Sequence, residues 1–377
     1  MIESPGIPLT LLAFFAVIGP LVFVHELGHY WVGRCFGVKA EAFSIGFGRE
    51  VAGWTDARGT RWKVGWLPLG GYVRFAGDMN PASQPSAEWL ALPPERRAET
   101  FQAKPLWQRA LIVLAGPLVN ILLALIILAG FAMIYGEPRN PAVVARVQAG
   151  SAAAYAVLLP GDRIVAIGDR ATDTFDEIGR YARLRPGEDV TIELVRERQR
   201  VTKRLTIGAA EERDRFGNVF RVGRLGIAGG LPRFECVSLL AAPGVAVRQT
   251  VGIVQDMAAG IAQIVTGRRS VKELGGPLQI ARISGQQATL GLAPFVFLIA
   301  LISINLGFIN LLPVPMLDGG HLLFYAIEGV TRRPVDPRAM EWAFRGGLTA
   351  LLALMVLVTI NDLGSFGVWN RIAGLIG

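Results

Sequence analysis

Charged residues are scarce in this sequence. Asp, Glu, Lys and Arg make up 18% of its 377 residues, whereas 52% of the residues are hydrophobic. Soluble domains average about 25% charged residues, so the composition argues against that class and predicts a chain that folds in a membrane. The net charge of +8 is spread over many loops rather than gathered on one face. We therefore expect no nucleic acid among its partners.

Cysteine is also rare, which limits the possible cross-links. The two cysteines, Cys35 and Cys236, lie far apart in the chain and show no metal-binding spacing. The sequence therefore argues against a disulfide framework, and two unrelated thiols are the expectation.

Four apolar stretches suggest membrane spans. They run from Ile7 to about Gly33, from Ala110 to Tyr135, from about Leu290 to Leu312 and from about Gly346 to Ile360. A hydrocarbon core of about 30 Å needs roughly 20 apolar residues in a helix. The fourth stretch is short for a crossing and needs polar ends that reach the membrane surface. We predict about four transmembrane helices.

Basic residues in the loops predict how these helices are oriented. The loop between the first two spans and the short loop between the last two both carry several Lys and Arg residues. Positively charged short loops stay in the cytoplasm. The long segment between the second and third spans then lies on the far side, because long loops cross a membrane largely regardless of their charge.

The far-side segment begins with the pattern of a small α+β domain. Its predicted elements are a strand at 143–147, a helix at 151–158, a turn and strand at 158–168, a helix near 174–184, and strands at 190–195 and 200–207. Alternating apolar residues and turn residues carry these predictions. Residues 234–285 then mix apolar stretches with charges, which predicts amphipathic helices on the membrane surface.

The first span contains the motif HELGH, from His25 to His29. Helical residues four apart project from one face, so the two histidines can bind one zinc ion through neutral imidazole nitrogens. Glu26 can accept a proton from a metal-activated water, which is the general-base role in amide hydrolysis. The chain has only three histidines, and an acidic residue in a membrane span costs about 2.5–3.5 kcal/mol. A helix end that merely emerges into water is the less favoured interpretation.

A zinc hydrolase needs a third protein ligand and an open position for water. Asp318 follows the third span, where Pro313 and Pro315 break the helix and glycines allow the backbone to turn sharply. We therefore predict Asp318 as the third ligand. His321 is a rival because it is the remaining histidine, and a simple turn is the usual role of an Asp-Gly pair. Two imidazoles and a carboxylate could also hold other first-row metals.

The ordered set of motifs resembles the site-2 protease family of intramembrane zinc metalloproteases, specifically the bacterial regulator-of-sigma-E protease type. It covers nearly the whole chain: HELGH, FSIGFG, GWLPLGGYV, AGPLVN, one PDZ-like module and NLLPVPMLDGGH. The resemblance implies a zinc endopeptidase with His25, His29 and Asp318 as Zn2+ ligands and Glu26 as the base. It also implies that Asn310 lies near the bound substrate.

The same resemblance implies the partners. Typical members cut a single-span anti-sigma factor within the bilayer after another protease has trimmed its outer domain, and some clear remnant signal peptides. The best-known member carries two tandem PDZ domains, whereas this sequence has the pattern of one.

The far-side domain resembles a PDZ domain, with RLGI at Arg224 to Ile227 as its carboxylate-binding loop, placed last as in circularly permuted bacterial forms. A PDZ domain binds an extended peptide by adding it as a strand to a sheet edge. Gly226 and Ile227 are therefore predicted to bind peptide termini. A spacer domain with an empty groove is the alternative.

Residues 42–48 and 62–75 alternate with glycines and resemble the membrane-associated β-hairpin of the family. Its free edge could pair with an unwound substrate, because helical hydrogen bonds hide the carbonyl groups of a transmembrane helix. Gly46 and Gly71 are therefore predicted substrate contacts, and a cytoplasmic loop with two short strands is the alternative. Asn120 in the second span can hydrogen-bond to a neighbouring helix, and simple packing of Gly116 and Asn120 is favoured equally with an active-site role.

The sequence thus predicts a polytopic α-helical membrane protein with about four transmembrane helices, a membrane-associated β-hairpin and one inserted α+β PDZ-like domain. The predicted domains are 1–135 with HELGH and the hairpin, 136–232 PDZ-like, 233–288 with amphipathic surface helices, and 289–377 with the last two spans. The expected location is the bacterial inner membrane, with the active site towards the cytoplasm and the PDZ-like domain in the periplasm. A non-catalytic receptor or scaffold and a zinc transporter are the rival functions.

Overall fold

The computed structural model describes residues 6–77, 93–213, 219–230, 233–267 and 275–365. Its helices are Ile7–Cys35 (α1), Pro94–Ala98 (α2), Leu106–Tyr135 (α3), Ala152–Tyr155 (α4), Phe175–Arg183 (α5), Ala242–Val265 (α6), Pro277–Leu290 (α7), Leu292–Asn310 (α8), Asp318–Thr331 (α9) and Pro337–Ser365 (α10). Its strands are Ala40–Thr55 (β1), Arg61–Phe75 (β2), Glu137–Arg139 (β3), Val144–Val147 (β4), Arg163–Ile167 (β5), Arg170–Ala171 (β6), Asp189–Arg196 (β7), Gln199–Thr206 (β8), Gly208–Arg213 (β9), Val219–Arg224 (β10), Ile227–Gly229 (β11) and Arg233–Glu235 (β12).

The chain divides into two compact units, which are described separately. The first unit contains the described residues up to Ala129, those from Ala246 to Val265 and those from 275 onward. The second unit contains Gly130–Val245. Residues 1–5, 78–92, 214–218, 231–232, 268–274 and 366–377 lie outside the described ranges, and each of the four predicted domains includes some of them. The predicted domain boundaries remain predictions.

Four helices in the described part of the chain are long and apolar enough to cross a membrane. They are α1, α3, α8 and residues Arg338–Gly364 of α10. The four predicted spans are thereby confirmed as apolar helices. The fourth helix is 29 residues long and extends beyond the apolar stretch at both ends, so its length is sufficient for a crossing.

Helix α1 has recognisable local signals at both ends. Pro8 lies in its first turn, where the missing N–H would have no helical partner. At the other end Gly37 adopts a left-handed φ of +71°, and the N–H of Val38 donates to the carbonyl of Gly33. This left-handed glycine ends the helix and directs the chain into β1.

Strands β1 and β2 form a long, folded-back hairpin in the first unit. Residues 42–45 have Cα partners at both ends of β2, namely 71–74 and 61–64, and residues 52–55 pair with 61–64 as well. Among the described residues no other strand pairs with this sheet. The segment 71–75 therefore pairs along one side only.

The core beside this sheet is aromatic. Phe43 stacks on Trp62 and meets Tyr30 of α1 edge to face. Ile112 of α3 and Tyr325 of α9 are buried in the same cluster. The cluster joins the sheet to three helices, which fixes the sheet against the part of α1 that carries the HELGH motif.

Helix α7 packs inside the first unit, where it contacts α1 and α8. Its buried side chains are small: Ala281, Ser284 and Gly285. Its first turn is capped from α10, because the N–H groups of Gly276 and Gln279 donate to the carboxylate of Asp362. A location of α6 and α7 on a membrane surface stays a prediction.

The second unit is an α+β domain. Its four-stranded antiparallel sheet has the order β6-β5-β7-β8, and α5 begins with a capping box between Thr174 and Glu177. Ile164, Ile192 and Ile178 are buried in its core. Strand β11 pairs with β4. The strand pairs β9–β10 and β3–β12 were not expected from the sequence.

Asp162 and Arg196 link two elements of this domain. The Asp162 side chain is 1% exposed and accepts hydrogen bonds from Nε and Nη2 of Arg196, both at 2.7 Å. It also accepts a hydrogen bond from the N–H of Leu159. The turn that precedes β5 is therefore tied to the end of β7 by a bidentate ion pair.

Candidate metal centre

Helices α1 and α3 approach each other very closely at the HELGH motif. A Cβ atom on Gly28 would lie 2.7 Å from the carbonyl oxygen of Ala115, and one on Gly116 would lie 2.5 Å from Cε1 of His29. Both distances are too short for real atoms. The two glycines therefore allow the helices to cross nearly backbone to backbone, with the His29 ring lying directly over Gly116.

Three side chains converge at this crossing. His25 Nε2 lies 3.3 Å from His29 Nε2, and Asp318 Oδ2 lies 3.2 Å from the first and 3.5 Å from the second of these nitrogens. Within the described residues these three form the group of His, Cys, Asp and Glu side chains close enough to hold one metal ion. The histidines come from α1 and the carboxylate from the first residue of α9.

The protonation of His29 follows from its surroundings. Its Nδ1 lies 2.9 Å from the carbonyl oxygen of Ile112 in α3. A carbonyl oxygen only accepts, so Nδ1 carries the hydrogen and donates it. In the neutral ring Nε2 then carries a lone pair, and this lone pair faces His25 and Asp318. Histidine ligands of metals are commonly held in this way.

The arrangement fits zinc. Bonds of about 2.0–2.2 Å at tetrahedral angles place ligand atoms about 3.3–3.6 Å apart, close to the 3.2, 3.3 and 3.5 Å found here. Asp318 Oδ2 is buried and has no hydrogen-bond partner. A buried carboxylate oxygen beside two imidazole nitrogens, without a hydrogen bond to either, is well explained by a cation that all three share.

The segment before α9 places Asp318. Met316 adopts a left-handed φ of +81°, and α9 begins at Asp318. A Cβ on Gly319 would clash with the carbonyl oxygens of Leu311 and Leu312. Gly319 and Gly320 are helical and have no positive φ, so the sharp turn expected from the sequence is wrong at these residues. They permit close approach of the preceding loop instead.

A cavity of about 500 Å³ opens onto the three side chains. Glu26, Asn310, Gly71 and His321 all line it. His321 packs its ring 4.7 Å from that of Phe344, and it lies outside the three-residue group. The structure therefore places Asp318, rather than His321, with the two HELGH histidines.

Glu26 lies between the histidines and the sheet. Its carboxylate approaches the backbone of Val73, and a Cβ on Gly71 would lie 3.0 Å from Glu26 Cγ. The one-sided segment 71–75 therefore runs past the carboxylate at the cavity wall. Gly46 lies elsewhere on the sheet, against the backbone of Leu67, and does not line the cavity.

A second groove lies within the second unit. It has a volume of about 610 Å³ and lies between α5 and β11, with Phe175, Ile178, Gly226 and Ile227 among its lining residues. Gly226 has a φ of +77°, and a side chain there would clash with Ser151. The predicted carboxylate-binding loop thus forms one wall of this groove.

Sequence reasoning missed the supporting contacts from α3. Nothing in the local pattern indicates that the carbonyl of Ile112 orients His29, or that Gly28 is the residue against which Gly116 packs. Asn120 lies 3.1 Å from His25 Nδ1 through its Nδ2 and is completely buried. Of the two interpretations left open for Asn120, its position favours the active-site role.

Comparison with known proteins gives a consistent result. The profile described as Peptidase family M50 matches residues 13–354. Relatives named "Putative zinc metalloprotease" include one from Agrobacterium fabrum, 44% identical over 94% of this chain and 96% of its own, and one from Mesorhizobium japonicum, 42% identical over 94% and 98%. Metalloprotease MmpA of Caulobacter vibrioides is 37% identical over 98% of this chain and 99% of its own.

A solved structure is also similar over a short part. The PDZ domain of an SdrC-like protein from Listeria monocytogenes is 22% identical and covers 25% of this chain and 90% of its own, with a TM-score of 0.19. So low a score carries no weight for the fold.

Proposed function

We propose a function from the premise that this chain belongs to peptidase family M50. The protein is an intramembrane zinc metalloprotease, and it hydrolyses peptide bonds in transmembrane segments of other membrane proteins. The observation that carries the proposal is the spacing of the ligand atoms of His25, His29 and Asp318, which fits tetrahedral coordination of one ion. Glu26 lines the same cavity, and α1 and α8, which contribute to that cavity, are apolar enough to span a membrane.

The residues divide the chemistry between them. A zinc ion held by His25, His29 and Asp318 would act as a Lewis acid that makes water a stronger nucleophile and polarises the scissile carbonyl. Glu26 takes the proton of the attacking water and passes it to the leaving amide nitrogen. Asn310 lines the cavity and offers an amide that can donate to a substrate carbonyl and accept from an N–H.

The sheet edge gives a place for the substrate backbone. A transmembrane helix uses its carbonyl and N–H groups internally, so cleavage requires a locally extended chain. Segment 71–75 pairs along one side only and runs beside Glu26. We propose that the unwound substrate adds to this edge as a strand, which would bring its carbonyl groups to the cavity.

The outer part of the hairpin supports its association with a membrane. Trp54 and Trp66 are 61% and 64% exposed, and Val51 is exposed beside them. Tryptophan is favoured where an apolar surface meets the lipid headgroups. The hairpin is therefore proposed to enter the membrane interface.

Substrate class and location follow from the site-2 protease type. Single-span proteins of the anti-sigma-factor kind are the proposed substrates, with remnant signal peptides as a further class. The groove at Gly226 and Ile227 is proposed to bind extended peptide termini. The proposed location is the bacterial inner membrane, with the metal centre towards the cytoplasm and the second unit in the periplasm, as the loop charges favour.

The test is cleavage of a single-span substrate by the purified full chain in detergent, with bound zinc assayed in the same samples. Glu26→Gln removes the base and leaves the ligands, so we expect it to retain zinc and lose cleavage. His25→Ala removes a ligand, and we expect it to lose both. Wild-type protein without bound metal, or equal cleavage by Glu26→Gln, would overturn the proposal.

A further inference from the structure

Asn120 is a buried amide beside the metal centre whose role follows from its neighbours. It lies in α3 with no exposed surface, and its Nδ2 is 3.1 Å from His25 Nδ1. Its own backbone carbonyl accepts a hydrogen bond from Ser303 Oγ of α8 at 2.7 Å. That hydrogen bond joins α8 to the backbone of α3 and does not involve the Asn120 amide, which faces the His25 ring.

The amide can face His25 with either end. As placed, Nδ2 faces the ring and Oδ1 is buried without a partner. A turn of 180° about the last side-chain bond exchanges the two ends without moving any other atom. In either orientation one end lacks a partner among the described residues, so the number of hydrogen bonds does not decide between them.

The other nitrogen of His25 decides. With Nδ2 as a donor to Nδ1, the hydrogen of the neutral ring would lie on Nε2 and point towards Asp318. His29 Nε2 and Asp318 Oδ2, 3.3 and 3.2 Å away, would accept such a hydrogen, which would then occupy the space between the three ligand atoms. A metal ion in that space requires a lone pair on each of these atoms, including His25 Nε2. In the neutral ring the hydrogen of His25 then lies on Nδ1, where it faces Asn120.

We infer that Asn120 is a positioning residue whose Oδ1 accepts a hydrogen bond from Nδ1–H of His25 and thereby holds the Nε2 lone pair towards the metal. It touches neither metal nor substrate. Both imidazole ligands are then oriented from α3, His29 by a backbone carbonyl and His25 by a side-chain carbonyl. Outer partners of this kind commonly change metal affinity by about 10–100-fold. The inference rests on the metal site of the proposed function.

Three variants of the full chain test it. Asn120→Leu keeps the size of the side chain and removes the hydrogen bond. Asn120→Asp keeps an acceptor and removes the donor. Ser303→Ala is the matched control, because it removes the neighbouring hydrogen bond to the Asn120 backbone and leaves the amide in place. The Zn2+ affinity of purified protein is measured by competition with a chromophoric chelator, and the visible spectrum is recorded with Co2+.

We expect Asn120→Leu to bind Zn2+ about 10–100-fold more weakly, with an altered Co2+ spectrum. Asn120→Asp should stay closer to wild type than to the leucine variant, and Ser303→Ala should match wild type. Equal binding by wild type and Asn120→Leu would refute the inference, as would an aspartate variant as weak as the leucine one. If Asn120→Leu does not fold, the aspartate variant still decides, because a required donor predicts its failure. Wild type that binds no Zn2+ would instead refute the metal site itself.

Discussion

Replacing Gly116 by alanine should weaken metal binding without destabilising α3, the helix that contains this residue. The new Cβ would lie 2.5 Å from Cε1 and 2.9 Å from Cδ2 of His29. Nonbonded carbon atoms settle at about 3.5–4.0 Å, so the ring must move by about 1 Å. That movement breaks the 2.9 Å hydrogen bond to Ile112 and displaces Nε2 from its place beside Asp318.

The expected loss of Zn2+ affinity can be estimated from the effect of partners outside the ligand shell. Disturbing an outer partner of a metal ligand costs about 10–100-fold in affinity, or roughly 1.4–2.7 kcal/mol. Gly116→Ala disturbs the ligand itself, so we expect the upper end of this range. Alanine is intrinsically favoured over glycine in a helix by about 1 kcal/mol, so propensity alone should not lower stability.

Gly130→Ala is the matched control. Gly130 lies in the same helix, and a Cβ there would meet no atom within 4 Å. Both variants are purified and compared by Zn2+ competition with a chelator, substrate cleavage and thermal unfolding. We expect Gly130→Ala to resemble wild type in all three. If Gly116→Ala binds Zn2+ and cleaves as well as Gly130→Ala, the close crossing of α1 and α3 does not hold His29 in place and the reasoning is refuted.

Three further predictions concern other residues. Asp318→Asn should lose bound zinc while His321→Asn retains it, as measured by metal content after gel filtration; the reverse result would make His321 the ligand. Gly226→Ala should destabilise the second unit by about 2–3 kcal/mol, against about 1 kcal/mol for Gly150→Ala, because both glycines have positive φ and only the former meets a side chain; equal hydrogen-exchange protection in the two variants would contradict this. Burial raises the pKa of Asp162, but hydrogen bonds from its arginine partner and a backbone N–H outweigh burial and hold the pKa below its ordinary value. A lowered pKa adds stability to the fold at pH values above the ordinary pKa of about 4. This added stability is lost as the pH falls through the lowered pKa. Protection factors of peptides from residues 158–168, corrected for the intrinsic pH dependence of amide exchange, should therefore fall in wild type as the pH is lowered from about 5 through the lowered pKa, and much less in Asp162→Asn.

The parts of the site that the sequence predicts are those encoded by local periodicity. The two histidines of HELGH share a helix face because they are four residues apart, and an apolar run of spanning length makes the helix itself a firm prediction. Asp318 could be predicted because prolines precede it and because the histidine pair requires a third ligand. Each of these inferences needs only neighbouring residues or general coordination chemistry.

The remaining parts depend on contacts between distant segments. The bond between His29 and Ile112 joins residues 83 apart, and that between Asn120 and His25 joins residues 95 apart. The start of α9 could not be predicted, because two glycines are poor helix formers. Packing requires a glycine at residue 319, because the loop that passes over it leaves no room for a larger side chain. Spacing alone contains no information about such approaches.

The gathering of His25, His29 and His321 around one cavity has a practical consequence for spectroscopy. These are all the histidines of the chain, and each of them lines that cavity. Protein labelled with nitrogen-15 in histidine alone would therefore give a spectrum that comes entirely from residues around this cavity, despite the size of the detergent complex. Imidazole nitrogens with and without hydrogen resonate far apart, so six signals would report protonation, tautomer and metal occupancy during titration and turnover.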